Sequence, residues 1–367
     1  MKQKEYTLDQ SSVEKILIIN IFGIGDVLFT TPLIDNLRAA FPLAEIHYLG
    51  NARTKIIFKN HPLITKCFSY DRDDFLKLSK SSKLRYWKQV IGFIKQIKAE
   101  KYDVVFDFSL NSFFNYMTWL AGIPNRIGFN YKNRSPLLTF KVPFYGFERK
   151  HVVEHYLDLL KNLGIGTPHR SLNFPLTEED RLWARQFLSR ENIDQALPIV
   201  GIIPGAGASW GKEARYRRWK SEKYVKLVDK LIEKYRAQII LMGDQSESEL
   251  CSQIMENAQG RIIPAYGKTT IRQLAALLQR CSFVILNDGG PLHIAVAAGT
   301  KTVSIFGPVD PDVYGPFGSS SQHAVVKKNL PCQPCYRRFR MTNCDHVSCL
   351  KNITVEDVLS EIQTISV

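Results

Sequence analysis

The sequence predicts an α/β protein made of two Rossmann-like halves that face each other across a cleft. Short apolar runs bounded by glycine loops indicate buried parallel strands, and segments of helical length separate them. This alternation occurs twice, before and after a loop-rich stretch at residues 167–196. The 367 residues of the chain are enough for two domains of ordinary size.

The first half begins its alternation close to the N-terminus. We predict strands at residues 15–19, 45–49 and 102–107, and helices at residues 26–40, 82–101 and 152–163. In the predicted helix at 82–101, spacing places a set of apolar side chains on one face, namely Leu84, Trp87, Val90, Ile91, Ile94 and Ile97.

The second half repeats the pattern with more regular spacing. We predict strands at residues 198–203, 238–242, 261–263, 283–286 and 302–306, and helices at 221–235, 247–257 and 271–280, with a short helix after Pro291. The predicted domains are 1–175 and 197–350, joined by a linker at 176–196 and followed by a C-terminal helix at 351–367.

The net charge of the chain indicates which kinds of partner it attracts. Lys and Arg outnumber Asp and Glu by 49 to 35, so nucleic acid, an anionic membrane surface or a phosphorylated substrate would each be attracted. No run reaches the roughly 18 apolar residues of a membrane span, and the N-terminus lacks the apolar core of a signal peptide. A cytoplasmic protein with only peripheral membrane contact is therefore predicted.

A glycine loop follows the first predicted strand. Gly23 and Gly25 let the backbone turn tightly and approach a ligand, but their spacing does not match the GxGxxG pattern of dinucleotide sites. Asp26 stands where the next helix begins. Its carboxylate either caps free amides of that helix or acts as a general base that projects into the cleft.

A second glycine loop precedes the predicted helix near Pro291. Gly289 and Gly290 leave several amides without helical partners, an arrangement that suits a diphosphate. Asp288 is expected to cap the turn or to accept a bond from a ribose hydroxyl or an amide. His293, one turn into the helix, either donates to phosphate or is a structural histidine.

A third loop, from Pro204 to Trp219, combines a glycine turn with cationic side chains. Arg217 and Arg218 lie near its end. Cations beside a glycine turn suit pyrophosphate, and a solvated basic surface is the alternative.

Taken together and in this order, these features resemble glycosyltransferase family 9, the heptosyltransferases of lipopolysaccharide core assembly. The resemblance runs from about Lys15 to the C-terminus and is most specific between Asp288 and Gly318. The residues that carry it are Ile24-Gly25-Asp26-Val27-Leu28 with Pro32, Tyr102-Asp103 with Asp107, Arg126-Ile127-Gly128, Pro204-Gly205-Ala206, Arg217-Arg218-Trp219, Gly243 with Glu247, Asp288-Gly289-Gly290 with His293, and Phe306-Gly307-Pro308 with Gly315-Pro316.

The resemblance implies a GT-B type glycosyltransferase that is inverting, needs no metal for catalysis and uses ADP-heptose. The family's general base corresponds to Asp26. Its phosphate-contacting lysine corresponds to Arg217, which keeps the charge but changes the geometry. Ribose contact corresponds to Glu247 and adenine-side contact to the region of Thr269. Gly289 stands where the family often has Thr or Ser.

The acceptor implied by the resemblance is a phosphorylated lipid A–core molecule at the inner face of the inner membrane. The first domain would bind this acceptor and the second the nucleotide sugar. Basic residues concentrate in the first half, which indicates either a solvated surface or transient contact with anionic headgroups. They include Lys77, Lys80, Lys83, Arg85 and Lys88.

Four of the seven cysteines lie near the C-terminus. Cys332, Cys335, Cys344 and Cys349 have roughly the spacing of a structural zinc site, although the last interval is loose. Reduced, buried thiols are the alternative.

Two other functions fit parts of the sequence. A related glycosyltransferase or a sugar-nucleotide epimerase would use a different donor, such as a uridine nucleotide sugar. A basic nucleic-acid-binding protein is the other, but no helix-turn-helix, RNP or zinc-finger pattern is present, and we predict no nucleic-acid partner.

Overall fold

The computed structural model describes residue 8 and residues 12–365. The chain forms two compact units. The first unit comprises Met1–Gly146 and Val153–Arg170, and the second comprises Phe147–Val152 and Ser171–Val367.

The first unit contains a six-stranded parallel sheet with the order β3-β2-β1-β4-β5-β6. Four of the five residues of the central strand β1 are fully covered, as expected where helices lie on both faces of a sheet. The strands are β1 (Lys15–Ile19), β2 (Glu45–Gly50), β3 (Lys66–Ser69), β4 (Val104–Asp107), β5 (Asn125–Tyr131) and β6 (Phe140–Phe144).

Six helices are interleaved with these strands, and a 3-10 helix covers Lys55–Phe58. The helices are α1 (Ile24–Leu28), α2 (Thr31–Ala40), α3 (Arg72–Ser81), α4 (Lys83–Ala99), α5 (Ser112–Leu120) and α6 (Val152–Lys161).

The second unit repeats the same topology, with the strand order β12-β11-β10-β7-β8-β9. Its pairs are also parallel, and a separate two-stranded ribbon is antiparallel. The strands are β7 (Ile199–Ile203), β8 (Gln238–Leu241), β9 (Ile262–Pro264), β10 (Phe283–Asn287), β11 (Thr302–Ile305), β12 (His323–Val326), β13 (Tyr336–Arg337) and β14 (Arg340–Met341).

The helices of the second unit cover this sheet. Trp219 lies fully buried in the core, and its indole Nε1 donates to the carbonyl of Ile353 at 3.1 Å. The helices are α7 (Glu178–Arg190), α8 (Ser221–Tyr235), α9 (Ser248–Asn257), α10 (Ile271–Leu278), α11 (Gly290–Ala297), α12 (Pro311–Tyr314), α13 (Ser348–Lys351) and α14 (Val355–Ile362), with 3-10 helices at Ala208–Tyr216 and Gln245–Glu247.

Helix α7 occupies most of the stretch predicted as a linker, and α14 lies within the predicted C-terminal helix. The capping box at the start of α7 uses Thr177 and Asp180. Asp180 also forms an ion pair with Arg272 of α10, with Oδ2 and Nη2 2.5 Å apart. This pair fixes α7 to the second unit.

The helix predicted at 26–40 is interrupted at Phe29 and Thr30, which separates α1 from α2. Pro32 lies in the first turn of α2 and has no amide with which to continue the hydrogen bonds of α1. The hydroxyl of Thr30 donates to the carbonyl of Val27 at 2.6 Å and so satisfies an acceptor at the end of α1.

Helix α4 is present where it was predicted, but only half of its predicted apolar face is buried. Val90 and Ile97 are buried, whereas Leu84, Trp87 and Ile91 are 81%, 58% and 49% exposed. At about 100° per residue the predicted set covers an arc of about 140°, and only the part of that arc nearest to buried Phe93 faces the core. No helix of the described residues is long and apolar enough to cross a membrane.

Candidate active site

The strand order places a topological switch point in each unit, where the chain connections turn in opposite directions. In sheets of this order, ligands bind beyond the carboxyl ends of the strands on either side of that point. In the first unit these strands are β1 and β4, and in the second they are β7 and β10. Each site is built from the loops that follow those strands.

Asp26 lies in the loop after β1, at the third position of α1. Its carboxylate Oδ2 accepts the amide of Gly23 at 3.2 Å, and the residue is partly exposed. The capping interaction considered from the sequence is therefore present. It leaves the carboxylate accessible, and the role of general base stays a prediction.

Two asparagines hold the backbone of this loop. Asn20 accepts the amide of Phe22 at 3.1 Å and donates to the carbonyl of Asp26 at 3.0 Å. Asn51, at the end of β2, donates to the carbonyls of Ile21 and Phe22 at 3.2 and 2.5 Å. Asp26 is thus presented on a fixed turn.

Asp107 is a second carboxylate at this switch point, where it ends β4 and pairs in register with Ile19 of β1. It is buried, and burial raises the pKa of its carboxyl to about 6, against the effect of Ser109, whose amide donates to it at 2.9 Å. A carboxyl perturbed by burial beside a ligand-binding edge is typical of functional sites. The family resemblance included Asp107 without giving it a role.

Glu247 joins two strand ends in the second unit. Its Oε1 accepts the amides of Ala206 and Gly207, in the loop after β7, at 3.0 and 3.1 Å. Its Oε2 accepts the amide of Asp244, after β8, at 3.0 Å. Arg218 forms an ion pair with Oε1 at 3.3 Å. The carboxylate therefore fixes the site as well as being a candidate ribose contact, and the second role stays a prediction.

Two glycines allow the loops to approach this closely. A Cβ atom on Gly205 would lie 1.9 Å from Oε1 of Glu247, and one on Gly289 would lie 2.6 Å from the carbonyl oxygen of Ala206. Gly289 thus brings the loop after β10 against the loop after β7. A Thr or Ser at this position could not be accommodated without moving one of the two loops.

Arg217 and Asp288 form a buried ion pair at the same edge. Arg217 Nη1 lies 2.9 Å from Asp288 Oδ2, and the two side chains are 4% and 3% exposed. Burial lowers the pKa of Arg217 and raises that of Asp288, while each charge partly offsets the effect on the other. The guanidinium also lies 5.6 Å from the ring centre of Tyr336. Arg217 is thus a cation held by a protein carboxylate.

Asn287, the last residue of β10, is a site residue that the sequence reasoning did not use. Its amide Nδ2 donates to the carbonyls of Pro204 and Gly205 at 2.7 and 3.2 Å, and its Oδ1 accepts the amide of Trp219 at 3.1 Å. The polar side chain of Asn287 at the end of an otherwise apolar strand is the feature of the sequence that could have identified it.

Helix α11 begins at Gly290. Among the described residues, the amides of Gly289 and Gly290 donate to no other group, as expected for the positive end of a helix that can accept an anion. His293 is buried one turn later, and burial, followed by the charges of His151 and Arg217, lowers its pKa to about 3. Its imidazole is therefore neutral at pH 7.

Thr269 lies between β9 and α10 and is partly buried. Its turn is tied to the loop after β8, because the amide of Gly267 donates to the carbonyl of Gly243 at 3.0 Å. In the described part of the chain, no hydrogen bond or ion pair joins Thr269 to the other predicted donor residues. The remainder of that set lies together at the ends of β7, β8 and β10: Arg217, Glu247, Asp288, Gly289, Gly290 and His293.

The four C-terminal cysteines line one small cavity, together with His346 and Tyr216. All four are free thiols, and Cys349 is buried. Within residues 12–365, however, no three His, Cys, Asp or Glu side chains are arranged closely enough to hold a metal ion. Zinc binding at Cys332, Cys335, Cys344 and Cys349 stays a prediction.

The buried ion pair leads to a first prediction. Arg217→Ala should lower the free energy of unfolding by about 3–5 kcal/mol, because the Asp288 carboxylate would stay buried without its partner. The double variant Arg217→Met/Asp288→Leu should lose less than Arg217→Ala, because it removes both charges. Urea denaturation measures all three proteins. A single variant as stable as the wild type would contradict the prediction.

The low pKa of His293 leads to a second prediction. The His293 imidazole binds a proton near pH 6.5 in the unfolded chain but only near pH 3 in the folded chain. Its contribution to the free energy of unfolding is therefore fully present above pH 6.5 and is lost as the pH falls toward 3. Between pH 7 and 5 the free energy of unfolding should fall by about 2 kcal/mol more in the wild type than in His293→Gln. Denaturant titrations at both pH values measure this, and equal losses would refute the assignment. His323, with a pKa lowered to about 4 by burial, is present in both proteins and cancels.

Comparison with known proteins agrees with this architecture. A family model for glycosyltransferase family 9 (heptosyltransferase) matches residues 90–345. The chain is 24% identical over 360 residues to lipooligosaccharide heptosyltransferase 2 of Campylobacter jejuni, covering 96% of this chain and 99% of that protein. It is 25% identical over 366 residues to lipopolysaccharide heptosyltransferase 2 of Escherichia coli, covering 96% and 98%.

A solved structure shows the same fold. The E. coli heptosyltransferase WaaC with ADP-2-deoxy-2-fluoro heptose matches at a TM-score of 0.70 and 20% identity, covering 95% of this chain and 99% of that one. The family model confirms the resemblance inferred from the motifs. The protein is a glycosyltransferase, and the chain belongs to glycosyltransferase family 9, the heptosyltransferases.

Proposed function

We propose that the protein transfers a heptose from ADP-heptose to an inner-core acceptor of lipopolysaccharide. The observation that carries this proposal is the fixed anion-binding edge of the second unit. There the Gly289 and Gly290 amides begin α11 beside Arg217. Relatives described as lipopolysaccharide heptosyltransferases, and the WaaC structure with an ADP-heptose analogue, support the choice of donor.

In this proposal the diphosphate lies at the start of α11. The amides of Gly289 and Gly290 donate to its oxygens, and neutral His293 can donate without adding charge. Arg217 contributes positive charge while Asp288 fixes its orientation. Glu247 and Thr269 complete the nucleotide side, with Glu247 near the ribose and Thr269 on the adenine side.

Donor binding is tested by calorimetry on the full-length protein with ADP-heptose, a UDP-sugar and a GDP-sugar. We expect ADP-heptose to bind more tightly than either of the others. Tighter binding of the UDP-sugar would replace the proposed donor and favour a uridine-dependent glycosyltransferase or an epimerase. Salt-sensitive binding to DNA without any nucleotide-sugar binding would overturn the assignment altogether.

The proposed reaction is a single displacement. The acceptor hydroxyl attacks the anomeric carbon as its proton passes to the Asp26 carboxylate, and ADP leaves with the electron pair of the broken bond. One displacement inverts the anomeric configuration. The leaving diphosphate gains negative charge, which fixed amides and the arginine stabilise.

Asp26→Asn tests the general base. Asparagine can still accept the amide of Gly23, so the fold and ADP binding should be nearly unchanged, while turnover should fall by about 10²–10⁴. Steady-state kinetics and thermal unfolding measure the two effects. Turnover close to that of the wild type would remove the role, and a large loss of stability would return Asp26 to capping alone.

We propose that the transfer needs no divalent metal, because fixed donors already face the diphosphate site. Activity should persist in EDTA. Activity that disappears and returns with Mg²⁺ or Mn²⁺ would show that the proposed mechanism is wrong.

A structural zinc is a separate proposal. Cys332, Cys335, Cys344 and Cys349 line one cavity, and their side chains would have to rearrange to direct four sulfurs at one ion about 2.3 Å away. Zinc analysis of the purified protein tests this. A stoichiometric content that falls in Cys335→Ser would support the site, and a zinc-free, fully stable protein would refute it.

The acceptor in this proposal is a phosphorylated lipid A–core molecule, and the protein acts in the cytoplasm with transient contact to the inner membrane. The excess of Lys and Arg over Asp and Glu, 49 against 35, supports attraction to such a phosphate-rich surface.

A further inference from the structure

Helices α4 and α5 of the first unit expose an unusual amount of apolar surface. Of the ten exposed large hydrophobic side chains among the described residues, six lie on these two helices. They are Leu84, Trp87, Ile91, Tyr116, Trp119 and Leu120. We call this set the α4–α5 face.

The exposure of the α4–α5 face does not result from poor packing of the two helices. Each helix buries its other side in the core of the first unit, through Phe93 and Ile97 of α4 and through Phe114 and Met117 of α5. Leu84, Trp87 and Ile91 follow one another at three and four positions, and Trp119 and Leu120 lie three and four positions after Tyr116, so each set lies on one side of its helix. The two helices pack against each other. Their outward sides therefore belong to one region of the surface.

The charge of α4 is entirely positive. The helix contains no Asp or Glu, and Lys88 and Lys95 share the stripe of Leu84 and Ile91. In the part of the chain that the structure describes, none of its basic residues forms an ion pair. These exposed residues are Lys83, Arg85, Lys88, Lys95 and Lys98.

We propose that the α4–α5 face docks the protein on the surface of an anionic phospholipid bilayer. Basic side chains beside Trp, Leu and Ile on one amphipathic surface are typical of helices that lie in the membrane interface. Tryptophan and tyrosine suit the boundary between headgroups and acyl chains. This docking rests on the proposed function, in which the protein contacts the inner membrane.

A second copy of the chain fits this face poorly. A symmetric dimer would place the same face of each chain against its equivalent, and the charges of Lys88 and Lys95 on one α4 would meet those on the other. Anionic headgroups instead compensate all of these charges.

The test measures co-sedimentation of the full-length protein with vesicles. One set contains phosphatidylcholine alone, and the other an equal mixture of phosphatidylcholine and phosphatidylglycerol. We expect binding to the mixed vesicles that weakens with added salt. The triple variant Leu84→Ser/Trp87→Ser/Ile91→Ser should bind at least about tenfold more weakly, because it removes the inserted apolar surface.

Charge is tested separately with Lys88→Gln/Lys95→Gln. Each basic residue near an anionic surface strengthens binding about fivefold, so this double variant should bind about 25-fold more weakly. Leu43→Ser and Lys226→Gln/Lys234→Gln are matched controls, because they change exposed residues outside the α4–α5 face. Both controls should bind as the wild type does.

The proposal is overturned if the triple variant binds mixed vesicles as well as the wild type, or if the wild type binds neither kind of vesicle. It is also overturned if the wild type self-associates in sedimentation and the triple variant only abolishes that association. Calorimetry with ADP-heptose in the absence of vesicles should give the same affinity for every variant. A failure of the donor assignment is thereby distinguished from a failure of the docking face.

Discussion

The hydrogen bonds accepted by the Glu247 carboxylate are the interaction on which the second-unit site depends. One side chain accepts amides from the loop after β7 and from the loop after β8, so two separate strand ends have a fixed spacing. Asn287 extends the same arrangement to β10 by donating to Pro204 and Gly205. These bonds satisfy backbone groups that would otherwise need water or ligand, and they hold the loops in place without either.

The Arg217–Asp288 pair follows from this rigid frame. Two opposite charges can be buried together only where their geometry is well fixed, because the cost of removing them from water is large. The pair also sets the electrical character of the site. The pair adds no net charge, so Arg217 would act on a bound anion as a local, oriented donor, beside the amides at the start of α11.

Much of the fold could be predicted because the parallel strands are short, apolar and bounded by glycine. Helix α8 was predicted with its observed ends, and β8 and β10 within one residue. Strand β5 was missed, since Asn125, Arg126 and Asn130 interrupt its apolar character. The length of α7 was not predicted, because the residues on either side of it have the composition of loops. The side of α4 that is buried depends on its neighbours, which spacing alone does not reveal.

The position of the site could be predicted, since ligands in such sheets bind at the strand ends. The hydrogen bonds that connect its loops could not. The hydrogen bond from the Ala206 amide to Glu247 joins residues 41 positions apart, and no local sequence pattern predicts it.

The closeness of Gly205 to Glu247 has a consequence for changing the specificity of this enzyme. A side chain at position 205 would collide with the carboxylate, and loss of that carboxylate would remove the acceptor of three loop amides, so both residues belong to the scaffold. Because the loops are already ordered, a nucleotide would pay little conformational entropy on entering. In the proposed binding mode adenine lies on the Thr269 side. Directed evolution toward another base would then be most productive in that turn, which is tied to the frame at Gly267 while the Thr269 side chain makes no hydrogen bond within the described residues.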